Sequence, residues 1–340
     1  MADVSFKQYK SDNSCQYYAV LPPVNYNPAN KYALIYSLHG AGVEAIGLVK
    51  AYTPKDWAFV ISPTNRRPFG FDWQDWGRLD ALEVLEIVKK KYPIDEDRIY
   101  LTGHSMGGHG TWYLGGIYAD KFAGIVPGAG WSIFQLYTPW TLQKSYLFCE
   151  PEVLCFRERV LREDNTLFYL ENLLNTPVMI AHGEKDNNVP VYQGRMFYQY
   201  LKNYGYKVKY WEEPGQKHWW DLKDTKGADC VNSDKIMNFF KSLTRTKFPR
   251  KIVFKMISPY LNNSLYWISV IQQEIPYRDS IVKAEVINDN KINIDIKNVK
   301  ILKVCLTSKL IKPGKVKIIV NSHILKYKFS GDKKDVYISL

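Results

Sequence analysis

Hydrophobic and polar positions follow two different rhythms along the chain. Over the first 240 residues, short continuous apolar runs alternate with segments of helical periodicity. Tyr32 to Leu38 (YALIYSL), Trp57 to Ile61 (WAFVI), Arg98 to Thr102 (RIYLT), Phe122 to Val126, Pro177 to Ala181 (PVMIA) and Val208 to Trp211 read as buried strands. Breakers follow them, such as His39-Gly40-Ala41-Gly42 and Ser62-Pro63. Leu79 to Lys90 sets Ala81, Leu82, Val84, Leu85 and Val88 on one side of a helix, with Glu83, Glu86 and Lys89 opposite. Strands apolar on both faces that alternate with helices predict a mostly parallel sheet flanked by helices, an α/β fold.

Beyond about residue 245 the period becomes two. Lys291 to Lys297 (KINIDIK) alternates strictly, as do parts of Ile301 to Thr307 and Val316 to Val320. The breaks are turn formers: Asn288-Asp289-Asn290, Pro313-Gly314, Asn321-Ser322 and Gly331-Asp332. Short strands spaced in this way predict a small antiparallel β-sandwich. The expected organisation is an α/β domain over residues 1–245, a linker at Thr244 to Arg250, and an all-β domain over residues 250–340. Residues 131–175 exceed what a plain strand–helix connection needs and are expected to form a lid-like insertion.

Chemistry concentrates in Gly103-His104-Ser105-Met106-Gly107, directly after a predicted strand and before a helical segment. In that context Ser105 would occupy a sharp strand-to-helix turn that lifts its hydroxyl above the sheet edge, making it a candidate nucleophile. This motif runs in the chain order serine, acid, histidine. Of the six histidines, His218 and His323 lie downstream of a plausible acid, and His323 falls in a predicted hairpin turn of the β-domain. His218, in the loop EEPGQKHWW, is therefore the candidate base. Asp186 is preferred over Glu184 as the acid, because three residues past Gly183 leave room to turn back towards the histidine. The oxyanion donors expected are the N–H of Met106 and one from the loop after the first strand, with Ala41 ahead of Gly42. Trp73, Trp76, Trp131, Trp140 and Trp219 are candidate substrate-binding aromatics.

The segments LHGAG at 38–42, DWGRLDALEVL at 75–85, RIYLTGHSMGGHGTWYLG at 98–115, HGEKDNNVPV at 182–191 and GQKHWW at 215–220 carry a resemblance. Together they resemble the α/β-hydrolase superfamily, in particular its prolyl-oligopeptidase-like (peptidase family S9-type) and feruloyl- or acetyl-esterase-like branch. The resemblance implies an α/β-hydrolase fold and Ser105, Asp186 and His218 as a catalytic triad, in agreement with the elimination above. NNSLYWISVI and INIDIKNVKILKV, within residues 260–310, resemble a small C-terminal β-domain appended to such hydrolases. True prolyl oligopeptidases carry a large propeller that gates peptide entry, for which 340 residues leave no room.

Composition adds a charge boundary. The formal charge is +12, from 46 Lys+Arg and 34 Asp+Glu. Residues 241–340 hold 20 basic and 7 acidic side chains, so the basic excess belongs to the predicted β-domain. Lysines alternating with apolar residues, as in Lys315-Val316-Lys317-Ile318 and Lys326-Tyr327-Lys328-Phe329, are expected on an outward face. There they protect edge strands and solubility, with contact to an acidic polysaccharide as the second reading. No run approaches the ~18 apolar residues of a membrane span, and no nucleic-acid module is recognisable. His104 and His109 are not at metal-ligand spacing, no H-E-x-x-H occurs, and no cofactor is expected. Cys15, Cys149, Cys155, Cys230 and Cys305 form no zinc pattern, and they read as buried or free thiols, with a Cys149–Cys155 loop as the alternative. Met1 to Tyr18 is polar, so no signal peptide is expected; that places the chain in the cytoplasm unless a leader has been removed.

The resulting expectation is a serine hydrolase acting on carboxylic esters of acetyl or feruloyl type, on a small or carbohydrate-linked substrate. An S9-type peptidase or aminopeptidase is the alternative with the same chemistry. A catalytically inactive carbohydrate- or partner-binding protein is the alternative from another class.

Overall fold

The continuous apolar runs become the interior of an eight-stranded sheet. Its strands are β1 (Asp3–Gln8), β2 (Cys15–Leu21), β3 (Tyr32–Leu38), β4 (Ala58–Pro63), β5 (Ile94–His104), β6 (Gly124–Gly128), β7 (Val178–Gly183) and β8 (Val208–Glu213). The spatial order is β1-β2-β4-β3-β5-β6-β7-β8. From β4 to β8 every neighbouring pair is parallel, whereas β1 and β2 form an antiparallel hairpin and β2 pairs antiparallel with β4. β3, β4, β6 and β7 are buried along their whole length, as strands covered on both faces must be. This is the mostly parallel, helix-flanked sheet of the α/β-hydrolase fold. The hairpin is not visible in the apolar pattern, because the outer half of β2 is not buried and its residues are mostly polar or aromatic.

Two helices that follow β3 and β4 pack on this sheet. Helix α1 (Ala45–Lys50) follows β3 and buries Ala45, Leu48 and Val49. Helix α2 (Asp75–Lys91) buries Ala81, Val84, Leu85 and Val88 of the predicted stripe, while Leu82 is only half-buried, and it ends on Lys89, Lys90 and Lys91 at its negative dipole end. The loops leaving the carboxyl ends of β3, β5, β7 and β8 carry Ala41, Ser105, Asp186 and His218 respectively. A parallel sheet presents its binding crevice at that edge.

The computed structural model describes residues 2–8, 13–137, 150–223 and 227–340. The chain divides into two compact units, one of Met1–Gly115, Lys121–Lys144 and Thr176–Arg245, the other of Gly116–Asp120, Ser145–Asn175 and Thr246–Leu340. The lid-like insertion expected at 131–175 falls partly outside the described residues, which omit 138–149 and with them Trp140 and Cys149. Among the described residues, no helix is long and apolar enough to cross a membrane.

Within the second unit, the period-two segments form β9 (Lys251–Met256), β10 (Ser264–Leu265), β11 (Ile268–Gln272), β12 (Ser280–Asn288), β13 (Lys291–Lys297), β14 (Ile301–Leu306), β15 (Gly314–Val320), β16 (His323–Phe329) and β17 (Lys334–Ser339). They make a four-stranded sheet, β10-β11-β14-β17, and a five-stranded sheet, β16-β15-β13-β12-β9. Alternate residues are buried along strands such as β12 and β15, Val282, Ala284 and Val286 in one and Val316, Ile318 and Val320 in the other, as in sheets that bury one face. One pairing departs from the all-antiparallel expectation: β13 and β15 run parallel. The intervening strand β14 belongs to the other sheet, so β15 returns beside β13 in the same direction.

Candidate active site

Strand β5 ends at His104 and helix α3 (Met106–Ile117) begins two residues later, leaving Ser105 to make the turn. Ser105 has φ of 61°, a left-handed conformation that a residue with a side chain adopts only under constraint. Its N–H donates to Gly128 O at 2.9 Å and its carbonyl accepts from His109 N–H at 3.0 Å. A side chain at Gly107 would collide with the Leu38 carbonyl oxygen, a backbone atom that cannot give way. Glycine there is what lets α3 start against β3.

The acid and base approach from β7 and β8. His218 Nδ1 lies 2.8 Å from Asp186 Oδ2. The same oxygen is 3.3 Å from His182 Nε2, whose N–H also points at Val189 O at 2.9 Å. Asp186 Oδ1 accepts from the backbone N–H groups of Asn188 and Val189, both at 2.9 Å. Burial alone would raise the pKa of this fully buried carboxyl. The hydrogen bonds from His182 and His218, the His218 charge and the Asn188 N–H outweigh it, holding Asp186 well below the ordinary carboxylate range. Sequence reasoning did not identify His182 as a second donor to the acid; its spacing of four from Asp186 was the available signal. Gly183 permits the closure, because a Cβ there would strike the carbonyls of Lys217 and Gln216. Lys185 N–H donates to Gln216 O at 2.7 Å, fastening the acid loop to the base loop.

Glu184, the acid passed over, instead accepts from Gly215 N–H at 2.6 Å. His104 stands beside the base, its ring centroid 4.7 Å from that of His218 and 5.1 Å from Trp219. Burial, and then the positive charge of His218, push His104 down to about 3. Near neutral pH it is an uncharged neighbour that does not compete for the proton His218 would carry.

Ser105, His104 and His218 line one cavity of about 480 Å³ with Gly40, Ala41, Val43, Gly47, Leu48, Ala51, Tyr137, Asn188 and Trp219. Ala41 thus borders the same space as Ser105, and Met106, as the first residue of α3, has an N–H without an intrahelical acceptor. Gly42 is different: its N–H is already spent on Pro68 O at 3.1 Å, so the expectation that it serves as an oxyanion donor is withdrawn. No carboxylate, lysine or arginine lines the cavity among the described residues.

The candidate aromatics separate. Trp219 is 47% exposed and lines the cavity, whereas the adjacent Trp220 is buried edge-on against Trp211. Trp73 is not at the surface of the cavity: it is 0% exposed, its indole N–H donates to His39 O at 3.1 Å, and its ring packs edge-on against His39. Trp131 is buried and stacks on Tyr137 at 4.2 Å and on His109 at 5.5 Å, so it backs a cavity residue without lining the cavity. Trp76 lies under the Arg66 guanidinium at 5.6 Å and is not among the lining residues. His109 is fully buried with Nδ1 3.0 Å from Trp131 O, and desolvation pushes it down to about 4. Among the described residues, no group of three or more His, Cys, Asp or Glu side chains is placed to hold a metal ion.

Residues 65–246, which include Ser105, Asp186 and His218, match the model of the prolyl oligopeptidase family. The chain is 28% identical over 244 residues to an uncharacterized secreted protein of Arthroderma benhamiae, covering 66% of this chain and 25% of that protein. It is 26% identical over 233 residues to dipeptidyl-peptidase 5 of Aspergillus fumigatus, covering 59% of this chain and 30% of that one. The acylaminoacyl peptidase of Pyrococcus horikoshii superposes with a TM-score of 0.53 at 18% identity over 72% of this chain and 42% of that chain, a likeness of fold. The matched part of the chain therefore spans less than half the length of these relatives. With a family match over more than half its residues, it belongs to the prolyl oligopeptidase family.

Proposed function

We propose that the chain is a serine hydrolase that cleaves neutral carboxylic esters by acyl transfer, without a cofactor. Ser105 Oγ attacks the carbonyl carbon while His218 takes its proton through Nε2. Asp186 holds the imidazole by the Nδ1–H bond and stabilises the imidazolium. The N–H groups of Met106 and Ala41 receive the oxyanion. His218 then returns the proton to the departing alcohol, and a water molecule repeats the sequence to free the acid and regenerate Ser105.

The observation that carries the ester reading is that the described residues lining the cavity include no carboxylate, lysine or arginine. A peptidase that trims from a free amino terminus needs a carboxylate to receive the ammonium, and desolvating that ion unpaired is costly. A volume of about 480 Å³ fits a small neutral acyl group, acetyl or feruloyl, free or carried on a sugar. The peptidase reading is favoured by one separate observation, the 26% identity with dipeptidyl-peptidase 5 over 59% of the chain. Assays of p-nitrophenyl acetate, methyl ferulate and a dipeptidyl-nitroanilide side by side distinguish the two. Turnover of the esters with none of the anilide is expected, and the reverse overturns the ester reading. Labelling by a fluorophosphonate, absent in Ser105→Ala, is expected for either hydrolase; an unlabelled wild type would favour a non-catalytic binding protein.

A further inference from the structure

The five-stranded sheet of the second unit carries an arrangement of lysines that its own stability does not explain. Register places Lys291 of β13 opposite Lys317 of β15, and Lys317 opposite Lys326 of β16. Lys315 stands opposite Lys328 in the neighbouring row. The intervening Ile292, Val316 and Ile318 are buried, so all five lysines share the other, outward face. Directly opposed side chains on adjacent strands have Cβ atoms about 5 Å apart, and residues two apart along a strand are about 7 Å apart. Five ammonium groups therefore stand in two rows on one flat patch. None of the five is in an ion pair among the described residues; the nearby carboxylate of Asp289 is taken by Lys312 at 2.6 Å.

Like charges opposed across a ladder cost stability, and the rest of the same face avoids that cost. There Lys283 opposes Asp295, and Glu285 opposes Lys251. Protection of a sheet edge accounts for Lys326 and Lys328, because β16 is an edge strand. It does not account for Lys291, Lys315 and Lys317, whose strands β13 and β15 have neighbours on both sides.

We infer that this face binds an acidic polysaccharide, a polymer bearing carboxylates at intervals along its length. Charge complementarity carries the inference, and the composition of the face selects the polymer. The outward positions of β13, β15 and β16 include no aromatic ring on which a base would stack and no arginine fork for bidentate phosphate contacts. A lipid surface is gripped by an apolar stripe flanked by charge, whereas here a single apolar pair, Ile319 and Ile324, lies at one end of the rows. The inference is independent of the catalytic reading, since the experiment reads binding.

The test uses the full chain and fluorescently labelled polygalacturonate, with affinity measured from 25 to 200 mM salt. Wild type is expected to bind with a steep loss of affinity as salt rises, through release of counterions. Replacing Lys315, Lys317 and Lys326 by Gln together is expected to weaken binding at least tenfold and to flatten the salt dependence. The same variant should melt at the same or a higher temperature, because opposed charges have been removed. Replacing Lys251, Lys283 and Lys297 by Gln removes equal charge from the mixed-sign part of the sheet and is expected to change affinity less than threefold. Equal losses in the two triple variants would reduce the effect to net charge and overturn the proposal. So would absence of polygalacturonate binding at 25 mM salt, or tighter binding to poly(dT) or phosphatidylserine vesicles at equal charge concentration.

Discussion

Asp186→Asn tests the chemistry most directly, because the carboxylate has no spare acceptor. One oxygen serves two backbone N–H groups and the other serves two imidazoles. An amide offers one oxygen and one NH2. The backbone donors cannot change their nature, so the amide oxygen is held by Asn188 and Val189 and the NH2 turns towards His218 Nδ1. That nitrogen must then accept, which moves the ring proton to Nε2 and leaves His218 unable to take one from Ser105. His182 keeps Val189 O as its acceptor, so the fold survives. The loss of kcat expected for a base held in the wrong tautomer is about 10⁴-fold, equivalent to roughly 5 kcal/mol of barrier. The assay is p-nitrophenyl acetate turnover with the far-UV circular dichroism unchanged. The companion Glu184→Gln should retain kcat within about threefold, since its one hydrogen bond to Gly215 N–H contributes on the order of 1 kcal/mol or less. Activity of the Asp186→Asn protein within tenfold of wild type, or a larger loss at Glu184, would refute the assignment.

Further outcomes follow from the same geometry. Gly183→Ala should displace the base loop from the acid loop and lower kcat on the order of 10²-fold, the cost of a misplacement near 1 Å; unchanged kinetics would mean the loop closure is irrelevant to turnover. Trp73→Ala should cost about 3–5 kcal/mol in urea unfolding because the ring is fully buried, whereas Trp219→Ala should leave stability nearly unchanged and raise KM for aromatic esters. His109 sits at about 4 in the folded protein against 6.5 for the ordinary side chain. Between these values only the unfolded chain takes up the proton. This contribution to stability is therefore complete above pH 6.5 and falls by about 1.4 kcal/mol per pH unit as the pH drops. Comparing unfolding free energies at pH 7 and pH 5, His109→Gln should lessen the acid loss by about 2 kcal/mol; an undiminished loss would show that the folded ring takes up the proton freely.

The parts of the site legible in the sequence were those with a local grammar. Ser105 was marked by the glycines that must flank a tight turn, and the Asp186–His218 pairing by chain order after a strand. What escaped was set by three-dimensional accounting of hydrogen bonds. Gly42 looks like an oxyanion donor until Pro68, remote in the sequence, is seen to hold its N–H. Trp73 and Trp131 look like pocket aromatics because a tryptophan in a loop has no period to reveal which way it faces. The β1–β2 hairpin escapes because only the second half of β2, Tyr18 to Leu21, is buried, too short an apolar run to mark a strand of seven residues. In the β-unit, alternation showed which face of each strand is buried but not that β14 changes sheets, since both sheets demand the same alternation.

That change of sheets has a consequence for synthesis. When the ribosome has released residues up to β14, the hairpin of β12 and β13 is complete but β13 still lacks its second neighbour, which is more than fifteen residues away. Its open edge presents unpaired backbone groups between Ile292 and Ile294, a template for any passing strand until β15 arrives. The nascent chain thus passes through a window of exposure set by translation speed, and slow codons between residues 307 and 320 would prolong it.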